Sequence, residues 1–114
     1  MIAVIFEVEP REGLAPRYFE LAAMLRSTLE ATEGFISVER FESLTKPGKY
    51  LSLSFWRDET AVRNWRCHGM HRHAQQEGRS AVLTSYRLRV AAVVRDYGLA
   101  EREFAPADSL AALV

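Results

Sequence analysis

The sequence predicts an α+β domain of β-α-β-β-α-β order, the ferredoxin-like plan of a four-stranded antiparallel sheet beneath two helices. Three observations predict it. Short segments rich in β-branched and aromatic residues recur at Ile2–Val8, Phe35–Ser43, Tyr50–Trp56 and Tyr86–Tyr97. Segments of helical periodicity lie between the first and second of these and between the third and fourth. The second and third are separated only by a turn, Thr45-Lys46-Pro47-Gly48-Lys49.

Taken in order, Ile2 to Val8 is the first strand, ended by Pro10 and Gly13. The first helix occupies Leu14 to Glu33, with Tyr18, Leu21, Ala22, Leu25 and Leu29 forming its apolar stripe and Pro16 suited to its first turn. Gly34 stops it. The hairpin of Phe35–Ser43 and Tyr50–Trp56 follows. Asp58 is placed to cap a second helix running from Glu59 through Trp65, interrupted at Gly69 and resumed from Met70 to Glu77. Tyr86 to Tyr97 is the last strand. A tail, residues 99–114, trails the 1–98 domain, and Asp108 or Ser109 is expected to cap a short helix through Leu113.

Composition narrows the function. At 114 residues there is room for one cored domain. Lys plus Arg and Asp plus Glu are balanced at 15 each, so no basic surplus exists to neutralise phosphates, and nucleic acid is not the expected partner. No apolar run approaches the ~18 residues of a membrane span, and the lone Cys67 excludes an internal disulfide and fits a reducing compartment. The expectation is a soluble, cytoplasmic, single-domain protein.

Strand parity bears on the assembly. In Tyr50–Trp56, Leu51, Leu53 and Phe55 form one face, and Ser52, Ser54 and Trp56 the other. In Phe35–Ser43, strict alternation sets Ile36 and Val38 against Phe35, Ser37, Glu39 and Phe41. Strand parity alone leaves open which row faces which way; if the all-apolar Leu51 row lies under the helices, the remaining face holds aromatics and small hydroxyls. Such a face suits another sheet better than water, which suggests a symmetric dimer.

Phe55-Trp56-Arg57-Asp58-Glu59, then Ala61, Trp65, His68 and His71, resemble the second half of antibiotic biosynthesis monooxygenase (ABM) domains. Gln75, Gly78-Arg79 and the closing Tyr86–Ala91 and Val94–Gly98 segments continue the resemblance, as does Gly34-Phe35, so that it covers residues 1–98. It implies a homodimeric α+β barrel in which two ferredoxin-like protomers place their sheets face to face. It also implies chemistry of several kinds, since members include cofactor-independent oxygenases of polycyclic phenols and quinols, a haem-degrading branch, and many without assigned activity.

Haem degradation fits poorly. The family's haem branch is matched at Trp65, but its haem-ligating His falls on Gln75 and its first-strand Asn on Phe6. Gln cannot replace imidazole as an axial ligand. Cys67, His68, His71 and His73 offer metal-type ligands, yet His73 leaves the face shared by His68 and His71, and no further Cys or His completes a set. No metal and no cofactor are therefore expected.

Cofactor-free oxygenation asks for an electron-rich substrate, dioxygen, an apolar cavity and hydrogen bonds favouring the substrate anion. The expected cavity residues are Phe35, Phe41, Trp56 and Trp65 as walls, with Ser37, Ser52, Ser54 and His71 as polar contacts. Glu39 is the candidate base, and Arg87 and Arg89 the candidate phenolate partners. Glu39 with an arginine also fits a buried ion pair across a dimer. The expected activity is monooxygenation of an aromatic phenol, quinol or polyketide-like molecule. A non-catalytic binding or assembly role, or isomerase or cyclase chemistry, are the alternatives.

Overall fold

The computed structural model describes residues 1–111, with the side chains of Met70, Ser80 and Ala111 excepted. Four strands, β1 (Ile2–Pro10), β2 (Phe35–Glu42), β3 (Tyr50–Trp56) and β4 (Leu83–Ala92), form one sheet in the order β2-β3-β1-β4. Every neighbouring pair is antiparallel. Helix α1 (Ala15–Ala31) connects β1 to β2, and α2 (Glu59–Arg66) and α3 (Gly69–Glu77) lie between β3 and β4. This is the ferredoxin-like α+β fold the sequence predicts.

Local chemistry accounts for the joints. Pro16 sits in the first turn of α1, where its missing N–H costs no helical bond. Gly34, at φ +87°, makes the left-handed turn into β2, and a Cβ there would stand 2.6 Å from that of Ala61. The close approach is sealed by the Arg57 N–H donating to the Gly34 carbonyl at 2.7 Å. Asp58 caps α2 as expected, accepting from the Ala61 N–H at 2.9 Å. Glu59 in the first turn and Arg63 and Arg66 in the last complement the helix dipole.

Both ends of the last strand differ from the sequence prediction. The last strand starts earlier and stops sooner than Tyr86–Tyr97, because its partner is β1: Ile2 pairs with Ala92, and beyond the Val93 N–H donating to the Met1 carbonyl no strand remains to pair with. A π-helical turn, Gly78–Val82, then joins α3 to β4. The tail forms a short helix, α4 (Ala107–Ala111); its expected end at Leu113 lies outside the described residues.

The packing of the helices decides the sheet faces that strand parity left open. Ser52, Ser54 and Trp56 lie beneath the helices and are buried, whereas Leu51, Leu53 and Phe55 occupy the open face with Ala3 and Ile5. The β2 row is also not continuous. Phe35 pairs with Trp56 and Ser37 with Phe55, so Ile36 is an extra residue and the strand bulges there. Phe35 therefore faces the helices, while Ser37, Glu39 and Phe41 face the other way, and Val38 and Arg40 take the helix side.

The core is split. One cluster gathers Val8, Tyr18, Leu21 and Val82 with Tyr50 packed against it; a second gathers Leu29, Trp56, Ala61 and Val62. Strand β3 explains the division. Its large helix-facing residues, Tyr50 and Trp56, stand at its two ends, and the two serines between them are too small to fill the space under α1.

Candidate functional site

That space is a cavity of about 210 Å³ between the sheet and the helices. Val4, Phe6, Val38, Arg40, Ser52 and Ser54 form its floor; Leu21, Leu25 and Leu29 of α1 form its roof. Trp65 and Arg66 of α2, then His71, Ala74 and Gln75 of α3 and Arg79 of the π turn, close one side. Tyr86, Leu88 and Val90 of the edge strand β4 line the other side and remain 42–46% exposed, so the cavity opens along that edge.

An aromatic column holds the α2 end. The Trp56 indole, 1% exposed, donates from Nε1 to Ser54 Oγ at 2.9 Å. Phe35 meets Trp56 edge-on at 5.4 Å, and Trp65 follows at 6.5 Å. The His71 ring lies 4.7 Å from that of Trp65, and its Nδ1 is 3.5 Å from the Arg66 carbonyl. Burial holds His71 below the ordinary histidine value; the Arg66 carbonyl opposes this, and Arg72 and His68 add to the lowering. The imidazole is neutral at pH 7 and can take a proton from a bound molecule.

The opposite end is braced by Arg17. Its Nε and Nη2 donate to the Glu77 carboxylate at 2.6 and 2.8 Å, joining the start of α1 to the end of α3. The pairing raises the Arg17 pKa and holds Glu77 below the usual carboxylate range.

Of the residues anticipated from the sequence, Ser52, Ser54, Trp56, Trp65 and His71 share the cavity wall, and Phe35 backs Trp56. Ser37, Phe41, Glu39, Arg87 and Arg89 lie on the other face of the sheet. Arg89 there pairs with Glu7, whose carboxyl Lys49 (2.9 Å) and Arg89 together keep below its ordinary range. Glu39 and the two arginines stand on opposite edge strands, three strand spacings or about 14 Å apart. One protomer therefore does not assemble them into an acid–base pair.

Arg40, Tyr18 and Tyr86 were missed. Arg40 alternates with Val38, and that parity marks it once the bulge is taken into account; Tyr18 is indistinguishable by periodicity from a core residue. Among the described residues no group of three or more His, Cys, Asp or Glu is placed to hold a metal ion. Cys67 is exposed, and Arg72 at 3.6 Å lowers its pKa. No helix among the described residues is long and apolar enough to cross a membrane.

Comparison with known proteins places this geometry. The family model described as antibiotic biosynthesis monooxygenase matches residues 1–77. Over 93 residues, 82% of the chain, the sequence is 46% identical to a Pyricularia oryzae protein named jasmonate monooxygenase ABM. It is 35% identical, over the same share, to an uncharacterised Bacillus subtilis protein. The matched region spans 43% of the Pyricularia protein and 79% of the Bacillus one. A Mycobacterium tuberculosis structure superposes with a TM-score of 0.76 at 19% identity, covering 85% of this chain and 98% of its own. A Shewanella oneidensis structure does so at 0.72 and 16%, covering 79% and 87%. At those identities the two structures speak for the fold alone.

Proposed function

Since the chain belongs to the antibiotic biosynthesis monooxygenase family, we propose that it is a monooxygenase of an apolar small molecule bound between sheet and helices. The observation that carries this is the cavity itself: roomy, mostly apolar, reachable along β4, and furnished with few polar groups. Ser52 and Ser54 offer hydroxyls, Trp56 and Trp65 aromatic walls, and His71 a neutral imidazole.

The substrate we infer is an electron-rich phenol, quinol or polyketide-like compound that needs no cofactor. His71 accepts the proton whose loss makes the substrate anion, and that anion passes an electron to dioxygen. Recombination of the pair forms the C–O bond. For an activated methylene the balance closes without an external reductant: CH₂ and O₂ become C=O and H₂O. The surrounding apolar side chains keep bulk water from quenching the radical pair.

The open sheet face, with Ile5, Leu51, Leu53 and Phe55 half-buried and Phe41 44% exposed, fits the homodimer we infer. In that arrangement the sheets pack face to face, and Glu39, Arg87 and Arg89 lie at the interface.

The test is oxygen uptake on anthrone under ¹⁸O₂, wild type against His71→Ala. One labelled oxygen in the ketone, with the rate falling at least tenfold in the variant, is the expected result. Product formed without label would point to isomerase or cyclase chemistry, and no uptake on anthrone or a panel of quinols would favour a binding role; either overturns the proposal.

A further inference from the structure

We propose that the cavity takes an amphipathic anion, an apolar body bearing a carboxylate, and that Arg40 is the residue that holds the carboxylate. This rests on the cavity being the ligand site proposed above and names the chemical class it selects.

The charges lining the cavity are one-sided. Arg40, Arg66 and Arg79 reach it, and no Asp or Glu does. The chain as a whole has as many acidic residues as basic ones, 15 of each. Of the arginines outside the cavity, Arg17, Arg26, Arg57 and Arg89 are matched by carboxylates, while the others are exposed or, like Arg102, held by backbone carbonyls. What sets Arg40 apart is the lack of an ion pair combined with burial. Among the described residues, the three cavity arginines have no ion pair.

Arg40 is the half-buried member of the three, whereas Arg66 and Arg79 are exposed. It projects from the helix side of β2 opposite Ser52. Its guanidinium carbon stands 6.0 Å from the centroid of the Tyr18 ring, and its Nε donates to the Tyr18 hydroxyl at 3.4 Å. A guanidinium has five N–H donors in a planar fork and stays charged at any relevant pH. One long hydrogen bond and a ring face leave most of that fork without an acceptor. Removing a cation from water without a counter-ion is costly, and a carboxylate supplies the missing partner through two parallel hydrogen bonds. Ser52 Oγ, directly across the strand pair, makes no hydrogen bond among the described residues and can donate to the same carboxylate. The rest of the cavity is Leu, Val and aromatic surface, which fits the apolar body.

The experiment compares 2-naphthoate with methyl 2-naphthoate, and jasmonate with methyl jasmonate, by quenching of the fluorescence of Trp56 and Trp65. Each pair keeps its shape and differs in charge. In the wild type the acid should bind about tenfold to a hundredfold tighter than its ester in at least one pair, the range of a hydrogen bond to a charged group. Arg40→Gln should abolish that preference by weakening the acid, and continued binding of the ester shows the cavity intact. Arg63→Gln, at an exposed arginine outside the cavity, should keep it, and Arg40→Lys should keep part of it. Equal binding of acid and ester, no binding of either acid, or a preference that survives Arg40→Gln overturns the proposal. Anthrone carries no carboxylate, so oxygen uptake on anthrone and the acid preference fail independently.

Discussion

Replacing Ser54 with alanine tests how the cavity wall is held. Trp56 is 1% exposed and its indole N–H has Ser54 Oγ as acceptor at 2.9 Å. Ser54→Ala removes one oxygen and leaves a buried donor unmade, which costs about 1–3 kcal/mol. A domain of 114 residues has an unfolding entropy of roughly 0.24 kcal/mol/K near its midpoint, so the melting temperature should fall by about 4–12 °C. The same substitution in a Trp56→Phe background, where no N–H remains to satisfy, should change stability by less than about 0.5 kcal/mol. Urea titration of the four proteins at one fixed protein concentration gives the coupling directly. A Ser54→Ala cost that is equally large with phenylalanine at 56 would show that the serine matters for some reason other than this bond, and would refute the account of the Trp56 wall.

His71 and the open sheet face give two further outcomes. His71 has its native pKa below the ordinary 6.5 because burial disfavours the charged ring. Between that lowered value and 6.5 the unfolded chain binds a proton the native chain refuses, so this contribution is complete above about pH 6.5 and is lost as the pH falls through the window. Urea midpoints measured from pH 7.5 down to 5 should therefore fall less steeply for His71→Phe than for the wild type; an unchanged slope would contradict the assigned burial. On the open sheet face, Leu53→Lys places a cation amid Leu51, Phe55 and Ile5. Sedimentation equilibrium should find the wild type at twice the 13.0 kDa protomer mass and the variant at the protomer mass, and a monomeric wild type would sink the sheet-to-sheet assembly.

How much was legible depended on whether a signal was local. Strand Tyr50–Trp56 and the Asp58 cap were readable because alternation and capping are written within a few residues. The end of β4 was not, since it is set by where β1 begins and not by the β character of Val93 and Val94. Nor was the face of β3. Both rows of that strand are bulky enough to be covered, and only the packing of α1 and α2 decides that the Ser52–Ser54–Trp56 row goes under them. His71 and Trp65 were found through the family resemblance of the segment that became α2 and α3. Arg40 escaped because strict period-2 counting from Phe35 gives the wrong phase after one extra residue.

That extra residue has a consequence for how such chains can vary. Ile36 is 52% exposed and sits between two paired positions, Phe35 opposite Trp56 and Ser37 opposite Phe55. Excising it would restore a regular ladder without turning any neighbour over: Phe35, Val38 and Arg40 would still lie on the helix side of the sheet, and Glu39 and Phe41 on the other. A one-residue length polymorphism at this spot is thus silent for what the pocket presents, whereas the same deletion anywhere from Val38 to Phe41 would exchange a cation for an aromatic or an acid. Comparisons between relatives along this strand should be anchored on the pairing with Trp56 and Ser54, with any gap placed at 36.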